Sequence, residues 1–269
     1  MDTSRQTEWL RERLPSFSSF LGSDQVMMLI MAALVGTAAA YGAILFRAMI
    51  IGSGTLFFAG AYDDLEAIRL LPWYAKLFLP AIGGIFVAMI VVKLAPEARG
   101  SGIPEVIESV ALNGGVVRRR VVPLKALAAA LCIGSGGSAG REGPIVHIGA
   151  ALGSWLGQKF HMSVKQLRTL VGCGVAGGIA ATFNTPFAGA LFAVEVVLGD
   201  FGTAKISPIV IASVVATVIS RHYTDEFPQI AVPEFSENIT LFSIGPYLLV
   251  GIAAGLLSVV FIKSMTTGW

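Results

Sequence analysis

The chain is poor in charge. Only 13% of its 269 residues are Asp, Glu, Lys or Arg, about half the share of an ordinary soluble domain, and that shortage excludes one. Cysteine is scarce as well. Cys132 and Cys173 are the only two, both in apolar, small-residue surroundings, which excludes a disulfide framework or a zinc-type spacing and leaves a packing role. Net charge is +2 with no long basic run, so a nucleic-acid partner is not expected; Arg118, Arg119 and Arg120 read instead as a cytoplasmic loop under the positive-inside rule. The first 25 residues hold Asp2, Arg5, Glu8, Arg11, Glu12, Arg13 and Asp24, with no apolar core and no small-residue cleavage site. They do not read as a signal peptide. Residues 1–25 are expected to be a cytoplasmic segment, with Trp9, Leu10 and Leu14 forming either a short amphipathic helix on the membrane surface or a frayed terminus.

What the chain has in quantity is hydrophobicity. Apolar residues make up 55% of it and mean hydropathy is +0.75. The expected class is an all-helical, multi-pass protein of the cell membrane, with residues 26–269 as the transmembrane domain. Residues 26–51 are long enough to span a hydrocarbon core of about 30 Å, and Arg47 near their end is placed to snorkel to the interface. Residues 52–71 carry Asp63, Asp64, Glu66 and Arg69 and read as an extramembrane link. Residues 73–94 form a second span, anchored by Trp73, Tyr74 and Lys76 at one end and Lys93 at the other.

The segments then become too short or too broken to cross. A helix over 104–112 would be about 14 Å long at 1.5 Å per residue, so it is a half-helix. Residues 121–133 are also short and run into the glycine-rich loop 134–144, GSGGSAGREGP. Glycines weaken the helix before this loop, and Pro144 suits the first turn of the next one. Glu142 is thereby delivered to a helix N-terminus, where unpaired N–H groups and the helix dipole attract anions. An ionisable pair such as Arg141 and Glu142 at membrane depth is costly and points to function.

The segment 142–156 follows, with Gly149, Gly153 and Gly157 at four-residue spacing on one face, and Gly174 and Gly178 give a second small-residue face; such faces let helices approach closely. Residues 170–198 are broken by Asn184, Thr185 and Pro186, which predicts two short helices meeting at membrane depth. Segments 206–220 and 241–263 complete the apolar set, with a polar link over 221–238 between them. Discontinuous helices aimed at the midplane are how transporters build ion sites.

Three motifs carry a resemblance: GSGIPE at 100–105, GREGP at 140–144 and FNTPFAGALFAVE at 183–195. In order and spacing the chain resembles the CLC family of chloride channels and proton-coupled chloride exchangers, from the first span onward. The resemblance implies the first of two inverted-topology halves plus the start of the second. It also implies a later backbone motif and a later tyrosine completing the anion site, which have no counterpart before Trp269; a fragment, or a second half supplied from elsewhere, is the expectation. Carried over, Ser101, Gly102 and Ile103 with Glu142 and Gly143 resemble the chloride-binding residues. A neutral hydroxyl at Ser101 replaces part of the hydration shell without trapping the ion. Members that prefer nitrate tend to have proline there, so Ser101 implies chloride. Glu142 resembles the gate, a tethered carboxylate that occupies the outer site until protonated or displaced.

One departure matters. Many proton-coupled members have two successive acids where this chain has Glu195-Val196, and valine cannot relay protons. The expectation is therefore a passive voltage- or pH-gated chloride channel, with a proton-coupled antiporter as the alternative. No cofactor and no enzymatic activity are expected; chloride, protons in the antiporter alternative, the lipid bilayer and a second copy of the chain are the expected partners. A different class is carried by GGSAG at 136–140, which fits the G-x-S-x-G pattern of serine hydrolases with Ser138 as nucleophile. It needs a histidine base within reach, and His147 sits in the next helix, where the rise makes contact awkward. Glu105 reads as a first-turn acid of structural value, Arg141 as either an anion attractor or an ion-pair partner, and Glu195 as either a functional intramembrane acid or a buried hydrogen-bonded one.

Overall fold

The computed structural model describes residues 24–60, 62, 65–94, 100–200, 202–223 and 244–267. All regular structure among them is helical. The elements are α1 (Asp24–Phe57), α2 (Leu65–Leu70), α3 (Trp73–Met89), α4 (Ile103–Ala111), α5 (Val121–Gly134), α6 (Glu142–Lys159), α7 (Val164–Phe183), α8 (Pro186–Phe192), α9 (Thr203–Tyr223) and α10 (Ile244–Thr267). α3 and α8 each run on into a wider π-helical stretch, Ile90–Leu94 and Ala193–Leu198. Trp9, Leu10, Leu14, Asp63 and Asp64, and most of the polar link, fall outside the described residues.

Among the described residues, four stretches are long and apolar enough to cross a membrane: Asp24–Phe57, Trp73–Leu94, Ile206–Tyr223 and Gly245–Thr266. The last belongs to a second unit, residues 228–269. Within the first unit α7 lies at the centre, with Leu170, Val171, Cys173, Val175, Ala176 and Ala180 completely buried. α6, α8, α9 and α1 pack around it. This burial explains why α7 is built of small residues. Gly149 of α6 and Gly174 of α7 touch backbone to backbone, and Gly153 meets the carbonyl of Leu170, so that no Cβ fits at any of the three. Gly178 would bring a Cβ to 3.0 Å from the carbonyl of Ile145. The two small-residue faces read from the sequence therefore pack against each other, gaining dispersion contact where no hydrophobic drive exists in lipid.

Two boundaries differ from the sequence reading by six residues. α1 continues six residues past Ile51, to Phe57, because Ser53 and Gly54 are buried and Ser53 Oγ donates to the carbonyl of Ala130 on α5 at 2.7 Å. The link to the second span is correspondingly short. The segment before the helix break is also no short helix: α7 has 20 residues, starting at a capping box in which Ser163 and Gln166 satisfy each other's backbone N–H groups. The break itself falls where expected. Asn184 ends α7 in the left-handed region at φ 56°, which asparagine tolerates, and Pro186 opens α8. Arg221 Nε donates to Asn184 Oδ1 at 2.6 Å, tying the break to the end of α9.

The loop between α4 and α5 is fixed from α6. Ser154, buried, donates to the carbonyl of Gly115 at 2.7 Å and accepts from the N–H of Val117 at 3.0 Å. α4 is thus held against α6 at both of its ends.

Candidate functional site

α4 has nine residues, about 14 Å of helix, too short to cross a bilayer. Its N-cap, Gly102, stands at φ 100°, a conformation available at no steric cost only to glycine. That turn brings the start of α4 against the start of α6. α6 begins at Glu142, straight from the glycine-rich loop, with Arg141 as its N-cap. Neither N-terminus is capped by a side chain. The two ends are in direct contact: Gly143 lies against the carbonyl of Ser101, and a Cβ on Gly102 would lie 2.9 Å from the carbonyl of Gly143. Ser101, Gly102, Ile103, Glu142 and Gly143, two groups 40 residues apart in the chain, are brought to one place.

Within this junction Gly102 and Gly143 are buried, Ile103 is half-buried, and Ser101 and Glu142 are exposed. The Glu142 carboxylate folds back over Gly140, where a side chain would collide with its Oε2. Arg141 has no ion-pair partner among the described residues, which removes the pairing alternative in this conformation. Glu105 has the structural role expected of it, by a contact the sequence reading missed. Lys125 Nζ of α5 donates to Glu105 Oε1 at 2.8 Å, and the same oxygen would stand 3.0 Å from a Cβ on Gly100. The pair therefore pins the GSGIPE turn to α5. The signal was present: Lys125 is the one charge inside an otherwise apolar helix, and such a residue implies a partner.

Glu195 is exposed, not buried, as is Val196 beside it. Cys173 is buried in the core and Cys132 half-buried, both as free thiols. Ser138 is exposed in its loop. His147 lies elsewhere, with both ring nitrogens buried and lacking any protein partner, so the nucleophile–base pair of a hydrolase is not formed.

Long apolar spans around a short helix whose amino end meets another's define a polytopic membrane protein with a discontinuous-helix site. Residues 83–268 match the family model for the voltage gated chloride channel. The chain is 34% identical over 237 residues to a ClcB-like chloride channel protein of Ralstonia nicotianae, covering 85% of this chain and 54% of that one. It is 33% identical over 249 residues to the H+/Cl− exchange transporter ClcA of Vibrio parahaemolyticus, covering 91% and 53%. Its fold matches the crystal structure of a slow cyanobacterial Cl−/H+ antiporter with a TM-score of 0.69 and 27% identity over 86% of this chain and 54% of the other. A CLC-type fluoride/proton antiporter gives 0.63 and 26%, over 91% and 57%. The chain belongs to the CLC family, and it spans about half the length of the relatives it matches.

Proposed function

We propose that this chain forms part of a chloride pathway across the cell membrane that exchanges chloride for protons. The observation that carries the anion site is the contact between the N-termini of α4 and α6, which gathers uncapped N–H groups and two positive dipole ends around Ser101 and Gly143. Ser101 coordinates the ion through its hydroxyl, the backbone of Gly102, Ile103 and Gly143 completes this half of the shell, and Glu142 is the gate. Its exposure and its fold-back over Gly140 are consistent with a carboxylate that swings between a blocking and an open position. The protein works as a homodimer, performs no covalent chemistry and takes no cofactor.

The coupled reading replaces the passive channel that Val196 favours. Support comes from the names of the relatives: ClcA of Vibrio parahaemolyticus is an H+/Cl− exchange transporter, and both solved structures are proton antiporters. Simultaneous chloride and proton flux from liposomes containing the chain tests it. Uphill proton movement driven by a chloride gradient is the expected result. Chloride efflux without protons would restore the channel, and no flux from folded protein would mean that this chain alone is not the working unit.

A further inference from the structure

Between α4, α5 and the start of α6 the first unit holds a cavity of about 500 Å³, lined by Glu105, Glu108, Ser109, Asn113, Arg118, His147 and three valines. His147 is only 5% exposed, yet neither of its ring nitrogens meets a protein group, and neither does Oε2 of Glu105. Burying such groups dry costs about 2–7 kcal/mol each, and the cavity beside them is polar and roomy enough to hold water. Its inner wall is close to the anion site. His147 lies one turn beyond Gly143 on the same face of α6, and its Cβ is 3.4 Å from where a Cβ on Gly102 would stand. His147 therefore borders both the cavity and the Ser101–Gly143 junction.

We infer that the cavity is a hydrated inlet and that His147 is a proton-transfer residue for the exchange proposed above, on which this inference rests. Imidazole can accept a proton at one ring nitrogen and release one from the other. A hydronium ion in the inlet gives its proton to one ring nitrogen and becomes water; the imidazolium releases the proton of the other nitrogen to water on the junction side, and a ring flip restores the starting tautomer. No other bond changes. The charged groups facing the ring are the Glu105–Lys125 pair, with Glu108 and Arg118 along the cavity wall. A route of this kind supplies what the valine at position 196 cannot.

The test combines a spectroscopic and a transport reading on the whole chain in liposomes. The protein has three histidines, and His161 and His222 are both exposed, so His161→Asn with His222→Gln leaves His147 as the only imidazole signal in nitrogen-15 solid-state NMR. The expected result is a signal that titrates with bulk pH and exchanges magnetisation with water, together with a proton-to-chloride ratio that falls by about tenfold or more in His147→Gln. A signal with no water contact and no titration overturns the inference without any His147 variant having to fold. A His147→Gln protein that keeps the parent's ratio overturns it too, while leaving the exchange reading intact. A parent that moves chloride without protons overturns the exchange reading, and this one with it.

Discussion

The carbonyl of Ser101 lies against the α-carbon of Gly143 so closely that no methyl group fits between them. This contact sets the distance between the N-termini of α4 and α6, and Gly143→Ala would push them apart. Overpacking of this kind costs about 1–3 kcal/mol. Because the obstacle is backbone and not a movable side chain, chloride flux in Gly143→Ala liposomes is expected to fall by about tenfold, the equivalent of 1.4 kcal/mol. Flux equal to the parent's would show that the junction is not the ion's path.

Glu142→Gln keeps the size of the side chain and removes its charge and its titration. Anion flux is expected to stay open and to become the same at acid and neutral pH. A variant whose flux still titrates like the parent's would end the gate assignment.

At Ser101 the expected change is in selectivity. A hydrogen bond from a hydroxyl to a charged group contributes about 1.5–3 kcal/mol, so losing it in Ser101→Pro should weaken chloride binding about tenfold or more. Nitrate should then be preferred, as read from the chloride-to-nitrate permeability ratio. An unchanged ratio would place the serine outside the ion's shell.

Lys125 is 6% exposed at its side chain and Glu105 32%. Lys125→Met strands the carboxylate. Breaking a fully buried pair costs about 3–5 kcal/mol; with Glu105 a third open to solvent, about 2 kcal/mol is expected here. Thermal unfolding in detergent should show the loss, and Glu105→Gln added to Lys125→Met should recover most of it. A double variant no more stable than the single one would mean that Lys125 holds its place through packing alone.

Much of this fold is legible along the chain because the bilayer acts locally. A spanning helix needs about 20 apolar residues, so α1, α3 and the pieces too short to cross are set by counting. The glycine-rich loop ahead of Glu142 and the Asn184–Pro186 break follow from backbone preferences of single residues, and the spacing of Gly149 and Gly153 announces a close helix contact.

Pairing across distance is another matter. Composition gives Lys125 and Glu105 each as an isolated charge; only packing of α5 beside α4 makes them partners. Of the two helices read over 170–198, the second is short as expected, but the first starts six residues earlier, at the Ser163 capping box, and runs for 20 residues. His147 gave no local signal at all. Its burial, its unpartnered nitrogens and the cavity beside it exist only because three helices meet there. What the sequence determined by itself is the membrane class, the half-helices and the identity of the motifs, since those rest on propensity and length. Which helix ends converge, and which buried groups face one another, was decided by the tertiary structure, because those contacts depend on close packing between segments far apart in the chain.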